Sequence, residues 1–287
     1  MIAIIMKELR TYFSQMTGYI FLALTILLMA LFFVLMNVFT LNPNYHQVLG
    51  TTTIFFFVLI PTLTMRLFAD EVKNRTDQLL YTSPITVPQI VMGKYLAACL
   101  LFVGAMAVTM LFPLMLSRYG ELPVGQIAGA YVGFILMGLC FIAVGLFISV
   151  LTDNQIIAAV GTFGVLFLFT VIDLITAVMP VDTTSSLAFV GVLIFAVAAL
   201  LYNGTKNIIA AGILALVGIV TAFVLYFINN LIFEGFIVRF LQWLSVHARY
   251  NNFIGGVLNL ADVVYYVTFG LLFLYLAINV IEKRRWR

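Results

Sequence analysis

A chain of 287 residues could form one or two soluble domains, but 64% of these residues are hydrophobic and 9% charged, against roughly 25% charged in soluble proteins. With a mean hydropathy of +1.18 and a net charge of only +3, the composition excludes a soluble domain and offers no basic surface for nucleic acid. It describes an all-α polytopic membrane protein.

In chain order, the first element is amphipathic. Ile2, Ile5, Leu9, Tyr12 or Phe13, and Met16 recur at helical spacing, with Lys7, Arg10 and Ser14 on the other side. Residues 1–16 therefore read as a helix lying in the membrane interface. The apolar run that follows lacks a small-residue cleavage site, so no cleavable signal peptide is expected. Spans near the ~20 residues a bilayer requires are predicted at 17–39, 48–68, 89–116, 125–151, 156–178, 185–202, 207–228 and 263–281. Pro61 is tolerated as a kink in the second. In the fourth, Gly125, Gly129 and Gly133 are spaced for close helix approach. About eight spans result, as a six-span core plus the 185–228 hairpin. Between the last two spans, residues 229–262 read as an external amphipathic helix through Leu244, followed by an Asn251–Gly256 turn; a re-entrant pair of half-helices is the competing geometry.

The long polar interruption of the first half is Arg66–Lys94, RLFADEVKNRTDQLLYTSPITVPQIVMGK. Asp70–Leu80 is predicted as a short charged helix, with Glu71 four residues before Arg75 and Lys73 four before Asp77. Ser83-Pro84 ends it, and Thr86-Val87-Pro88-Gln89 opens the next helix as a capping box. Eleven of the fourteen Lys and Arg (Lys7, Arg10, Arg66, Lys73, Arg75, Lys94, Lys206, Lys283, Arg284, Arg285, Arg287) lie on the side of the termini; Arg118, Arg239 and Arg249 lie on the other. The positive-inside rule places both termini and the Arg66–Lys94 segment in the cytoplasm.

Catalytic signatures fail. Gly93-Lys94 is no phosphate loop, because Pro88 stands at the upstream glycine position and Tyr95 follows the lysine. His46 and His247 read as surface histidines without metal-site spacing. Cys99 and Cys140 lie in apolar runs as packing residues. Asn37 and Asn279 read as polar links between neighbouring helices. Asp173 is the one carboxylate well inside an apolar run. It reads either as a pathway residue or as a group near the outer end of the fifth span, within reach of water.

The segment PTLTMRLFADEVKNRTDQLLYTSPITVPQIVMGKYLA resembles the ABC type-2 permeases, above all their gliding-motility and copper-enzyme-maturation branch (GldF-like, NosY-like). Met65-Arg66, Ala69-Asp70-Glu71, Arg75-Thr76, Leu79-Leu80, Ser83-Pro84 and Gly93-Lys94 carry the likeness. KELRTYF with Gly18-Tyr19-Ile20, and Val263-Val264-Tyr265-Tyr266 with Lys283-Arg284-Arg285-Trp286, extend it; Asn74 departs from the small residue the family favours. The resemblance implies a permease subunit of the exporter type in a bacterial plasma (inner) membrane. It implies a separate cytoplasmic ABC ATPase that binds ATP and Mg, and a second permease copy or homologue. Asp70, Glu71, Arg75, Thr76, Leu79 and Leu80 would form the coupling helix docked in that ATPase, with Thr152–Gln155 a smaller contact. The chain itself would hold no cofactor, no metal and no catalytic residue. The sparse polar lining favours a hydrophobic or amphipathic cargo. The alternative is a non-transporting membrane module through which an ATPase acts on an external protein partner, with residues 229–262 meeting an extracytoplasmic accessory protein.

Overall fold

The structure, a computed structural model, describes residues 1–76, 85–205, 207–228 and 233–285. It is about 84% helical, with no strand among the described residues. Seven described helices are long and apolar enough to cross a membrane: 17–38, 45–73, 87–116, 124–151, 155–176, 208–228 and 260–284; Thr183–Ala199 is a shorter apolar helix. The chain divides into two compact units, residues 1–168 with 246–287, and residues 169–245.

The first unit begins with α1 (Ile2–Ser14), followed across the left-handed Met16 by α2 (Thr17–Phe33), which ends in a π-helical turn, Val34–Val38. The second span is built from α3 (Tyr45–Thr52), a 3₁₀ turn at Thr53–Phe55 and α4 (Phe56–Thr64). It starts three residues earlier than predicted because Tyr45 is core, stacked on Tyr131 at 6.0 Å and tilted against Phe33 at 6.1 Å. After the corner at residues 65–68 comes α5 (Ala69–Lys73).

The third span is α6 (Val87–Thr109) and α7 (Leu111–Leu116). As predicted, Pro88 sits in its first turn and the Thr86 amide donates to Gln89 Oε1 at 3.3 Å. The break at Met110 follows from Pro113, which has no N–H for the carbonyl of Thr109. Next is α8 (Val124–Leu151), the most deeply buried span. α9 (Gln155–Val178) passes from the first unit into the second. The first unit closes with α13 (Val246–Ile254) and α14 (Leu260–Arg285).

The core forms around α8, where Phe134 meets Phe56 at 4.5 Å and Phe102 at 6.3 Å. Its glycines admit neighbours no side chain would allow. A Cβ at Gly133 would lie 2.6 Å from Phe253 Cβ, and one at Gly145 2.3 Å from Thr64 Oγ1. The glycine face thus fits α13 and α4, although Gly125, at its start, meets nothing within 4 Å.

In the second unit, α10 (Thr183–Thr205) and α11 (Ile208–Ile228) form the predicted hairpin, followed by α12 (Phe236–Leu244). Asp182 caps α10, accepting from the Ser185 amide at 3.1 Å and its hydroxyl at 2.9 Å. Hydrogen bonds from Thr184 and Ser185 hold its carboxyl below the usual range. Gly235, at φ +65°, makes the turn into α12, and its amide donates to Val181 O at 2.9 Å.

Three expectations need correction. The charged helix expected over Asp70–Leu80 ends at Lys73, because Arg75 takes a left-handed φ of +58°; Leu79, Leu80 and Ser83-Pro84 lie outside the described residues. The two histidines are not surface groups: His46 is buried in α3, and His247 packs on Phe141 at 6.4 Å. The turn expected at Asn251–Gly256 is confined to Gly255-Gly256, because α13 runs on through Ile254 with Tyr250 and Phe253 in the core. On α1, Ile2 is 77% and Met6 60% exposed, while Ile4, Glu8 and Tyr12 are buried.

Gly133→Ala should lower stability by about 1–3 kcal/mol through overpacking. Gly104→Ala, with nothing within 4 Å of its added methyl, should leave it unchanged. Thermal unfolding of the purified chain in mild detergent measures both.

Candidate functional site

Lys94 lies seven residues beyond Val87, the start of its span, about 10 Å at 1.5 Å per residue. A bare ammonium there would be costly, yet Lys94 is only 1% exposed. It survives because two carboxylates come to it. Glu8 Oε1 of α1 lies 2.9 Å from Nζ, and Glu71 Oε1 of α5 lies 3.0 Å away. Lys7 closes the ring, with its Nζ 3.0 Å from Glu71 Oε1 and 3.7 Å from Glu8 Oε1. Two ammoniums and two carboxylates alternate, so the cluster is neutral. The Phe68 ring supplies its face to Lys94 Nζ at 5.0 Å. At Lys7, burial lowers the pKa, but the hydrogen bond and charge of Glu71, aided by Glu8, outweigh it and hold the amine above its ordinary value.

The backbone is shaped to allow this. Gly93, beside Lys94, lets α1 approach α6: a Cβ there would sit 2.9 Å from Ile4 Cγ2. Four residues on from Glu8, Tyr12 donates to Leu63 O at 2.8 Å, fixing α1 beside the end of α4. The corner after α4 is held from α8. Ser149 Oγ accepts from the amides of Phe68 (3.1 Å) and Ala69 (3.2 Å) and donates to Met65 O at 3.3 Å. These two amides are among those a helix start leaves without intrahelical partners, so a serine some 80 residues away caps α5. Arg66 donates through Nη1 to Gln15 Oε1 at 3.3 Å.

Among the predicted docking residues, Asp70 and Glu71 are half-buried, whereas Arg75 and Thr76 are exposed with Lys73 and Asn74. The expected Glu71–Arg75 pair is not made, because Glu71 turns inward to the two lysines. Asp173 belongs to the second unit, where it accepts a hydrogen bond from Ser245 Oγ. No group of three His, Cys, Asp or Glu among the described residues could hold a metal.

Sequence reasoning missed the site's centre. Glu8 was not singled out, and Lys94 entered as a failed phosphate-loop lysine, a basic residue on the side of the termini and part of the family likeness. The available signal was that KEL near the start of the chain, and ADE and GK within the Arg66–Lys94 segment, carry complementary charge.

Fold and site together define a multi-pass helical membrane protein whose N-terminal helix is locked by charge to the corner between its second and third spans. A family model described as ABC-2 family transporter protein matches residues 4–207. The chain belongs to that family, whose members are membrane components of transporters and not themselves catalytic. No curated relative and no solved structure matches it.

Lys94→Met should cost about 3–5 kcal/mol, since it strands a buried carboxylate. Lys7→Met, at a half-exposed position, should cost about 0–1 kcal/mol. Combining Lys94→Met with Glu8→Gln restores neutrality and should recover part of the loss, a coupling that a double-mutant cycle of unfolding free energies measures.

Proposed function

We propose that the chain is the permease subunit of an ATP-driven exporter, paired with a separate cytoplasmic ATPase and a second permease copy in a bacterial plasma membrane. The observation that carries this reading is the division of labour within 69–76. Glu71 is tied inward to α1 and α6, while Lys73–Thr76 face outward at the tip. A tip that a partner can push, joined by charge to two membrane-associated helices, is what coupling to an ATPase requires. Asp70, Glu71, Arg75 and Thr76 form the described part of the coupling element, and the sequence adds Leu79 and Leu80 to it. Engagement is of the helix-in-groove kind, and ATP-driven closure shifts the permease pair between inward-open and outward-open populations.

Both termini and this tip are cytoplasmic in the proposed topology, as the bias of Lys and Arg supports. Within the family, the resemblance of residues 61–94 supports the GldF-like and NosY-like branch. A hydrophobic or amphipathic cargo suits the apolar spans. Asp173, engaged by Ser245, is read as an anchor for the end of α12 rather than a pathway group.

Arg75→Glu tests the docking reading without touching the charge ring. Copurification of a P-loop ATPase with the tagged chain should fall, with the melting temperature unchanged; undiminished recovery would remove the tip as the contact. Sidedness is checked separately. A cysteine at Tyr119, 90% exposed, should react with an impermeant maleimide in intact cells, and one at Arg75 only after permeabilisation.

A further inference from the structure

The charge ring borders a cleft of about 530 Å³ enclosed by α1, the corner after α4, α5 and the start of α6. This falls within the range of about 300–1,000 Å³ typical of small-molecule sites. Three cations, Lys7, Arg66 and Lys94, and three carboxylates, Glu8, Asp70 and Glu71, line it, so its formal charge is zero. The ring consumes two of each, leaving Arg66 and Asp70, which form no ion pair with one another.

Two enclosed atoms in its lining residues are chemically opposite. Arg66 Nε, a donor, and Glu71 Oε2, an acceptor, have no hydrogen-bond partner among the described residues. Both atoms are closed to solvent, where an unsatisfied polar group is costly, and a small side-chain rotation into the cleft would bring each to the complement it accepts. The guanidinium, with Nε and one further edge, matches a phosphate. Glu71 Oε2, with the Asp70 carboxylate on the same lining, matches an N–H-bearing cation. Tyr12, Leu67 and Ile85 add apolar wall, and the cleft adjoins a helix whose free face is apolar.

From this pairing we infer that the cleft is a binding site for a zwitterionic phosphate–ammonium headgroup, supplied by a phosphatidylethanolamine molecule of the surrounding leaflet. The phosphate sits on Arg66 and the primary ammonium between Asp70 and Glu71. A quaternary ammonium has no N–H for the enclosed carboxylate oxygen. An anionic headgroup would bring net charge into a neutral cleft. Occupancy would brace α1 against the corner that holds the exposed tip, making stability of this contact sensitive to lipid composition. The site does not depend on the transport reading.

The test uses the full chain in mild detergent without an ATPase, by native mass spectrometry against phosphatidylethanolamine, phosphatidylcholine and phosphatidylglycerol of matched acyl chains. Phosphatidylethanolamine should be retained preferentially. Asp70→Asn should erase its advantage over phosphatidylcholine, and Arg66→Gln should weaken both roughly tenfold, as loss of a charge-assisted hydrogen bond does. Arg66→Lys, read alongside, should keep the preference for phosphatidylethanolamine with the fold intact. Competition by soluble glycerophosphoethanolamine at the lipid's own concentration would assign the site to a free ligand and overturn the lipid source. Equal retention of the three lipids, a preference for phosphatidylglycerol, or a preference that survives Asp70→Asn would overturn the proposal. So would protection of the cleft by a copurifying protein instead of lipid.

Discussion

An ammonium group inside an apolar helix has few arrangements open to it, and Lys94 constrains what surrounds it. Its burial requires carboxylates close by, and two elements distant in sequence supply them. α1 must lie against α6, so Gly93 must be small. Glu71 must turn inward, so the short helix that carries it cannot roll its charged face outward. Desolvation opposes the arrangement, and alternation of four charges with an aromatic face offsets it. Ion pairs of this kind contribute less to net stability than to specificity; here the specificity is the seat of one helix on two others.

A second polar knot lies at the other end of the same unit. Asp262, buried at the start of α14, accepts from Arg249 Nη1 at 3.1 Å and Asn252 Nδ2 at 2.8 Å, and the Arg249 guanidinium lies 3.9 Å from the centre of the Tyr265 ring. The Tyr266 hydroxyl donates to Val246 O at 2.7 Å close by. Between the two knots the packing is aliphatic and aromatic, with glycines on α8 setting the spacing. Polar contacts thus fix the ends of the spans, and shape fixes their middles.

The spans were legible because hydropathy is a one-dimensional property: 17–39 was expected where the helix runs 17–38, and 125–151 where it runs 124–151. The capping box was legible for the same reason, being local. What escaped reading was long-range. Tyr45 and His46 looked like loop residues because their burial comes from neighbours such as Tyr131. α13 carries His247, Arg249, Asn251 and Asn252 and is too polar to announce a buried face, yet Tyr250 and Phe253 fill the space the α8 glycines leave. In α1 the conventional division into a wet charged side and a greasy inner side inverted at Glu8, whose partner lies 86 residues away. The charge run after Asp70 looked like a longer helix because Glu71 and Arg75 have pairing spacing; a stronger partner took Glu71.

The cap that Ser149 places on α5 has a consequence for the order of assembly. The amides of Phe68 and Ala69 are synthesised some 80 residues before the hydroxyl that receives them. Until the fourth span has entered the membrane, the corner has no cap, and the short helix beyond it is held only through the pairs of Glu71 with Lys7 and Lys94. The backbone of the corner is therefore completed late, after every member of the charge ring is already in the chain. A chain halted before α8 would carry the corner's full sequence without its cap, and quality control that recognises an uncapped corner could distinguish the two.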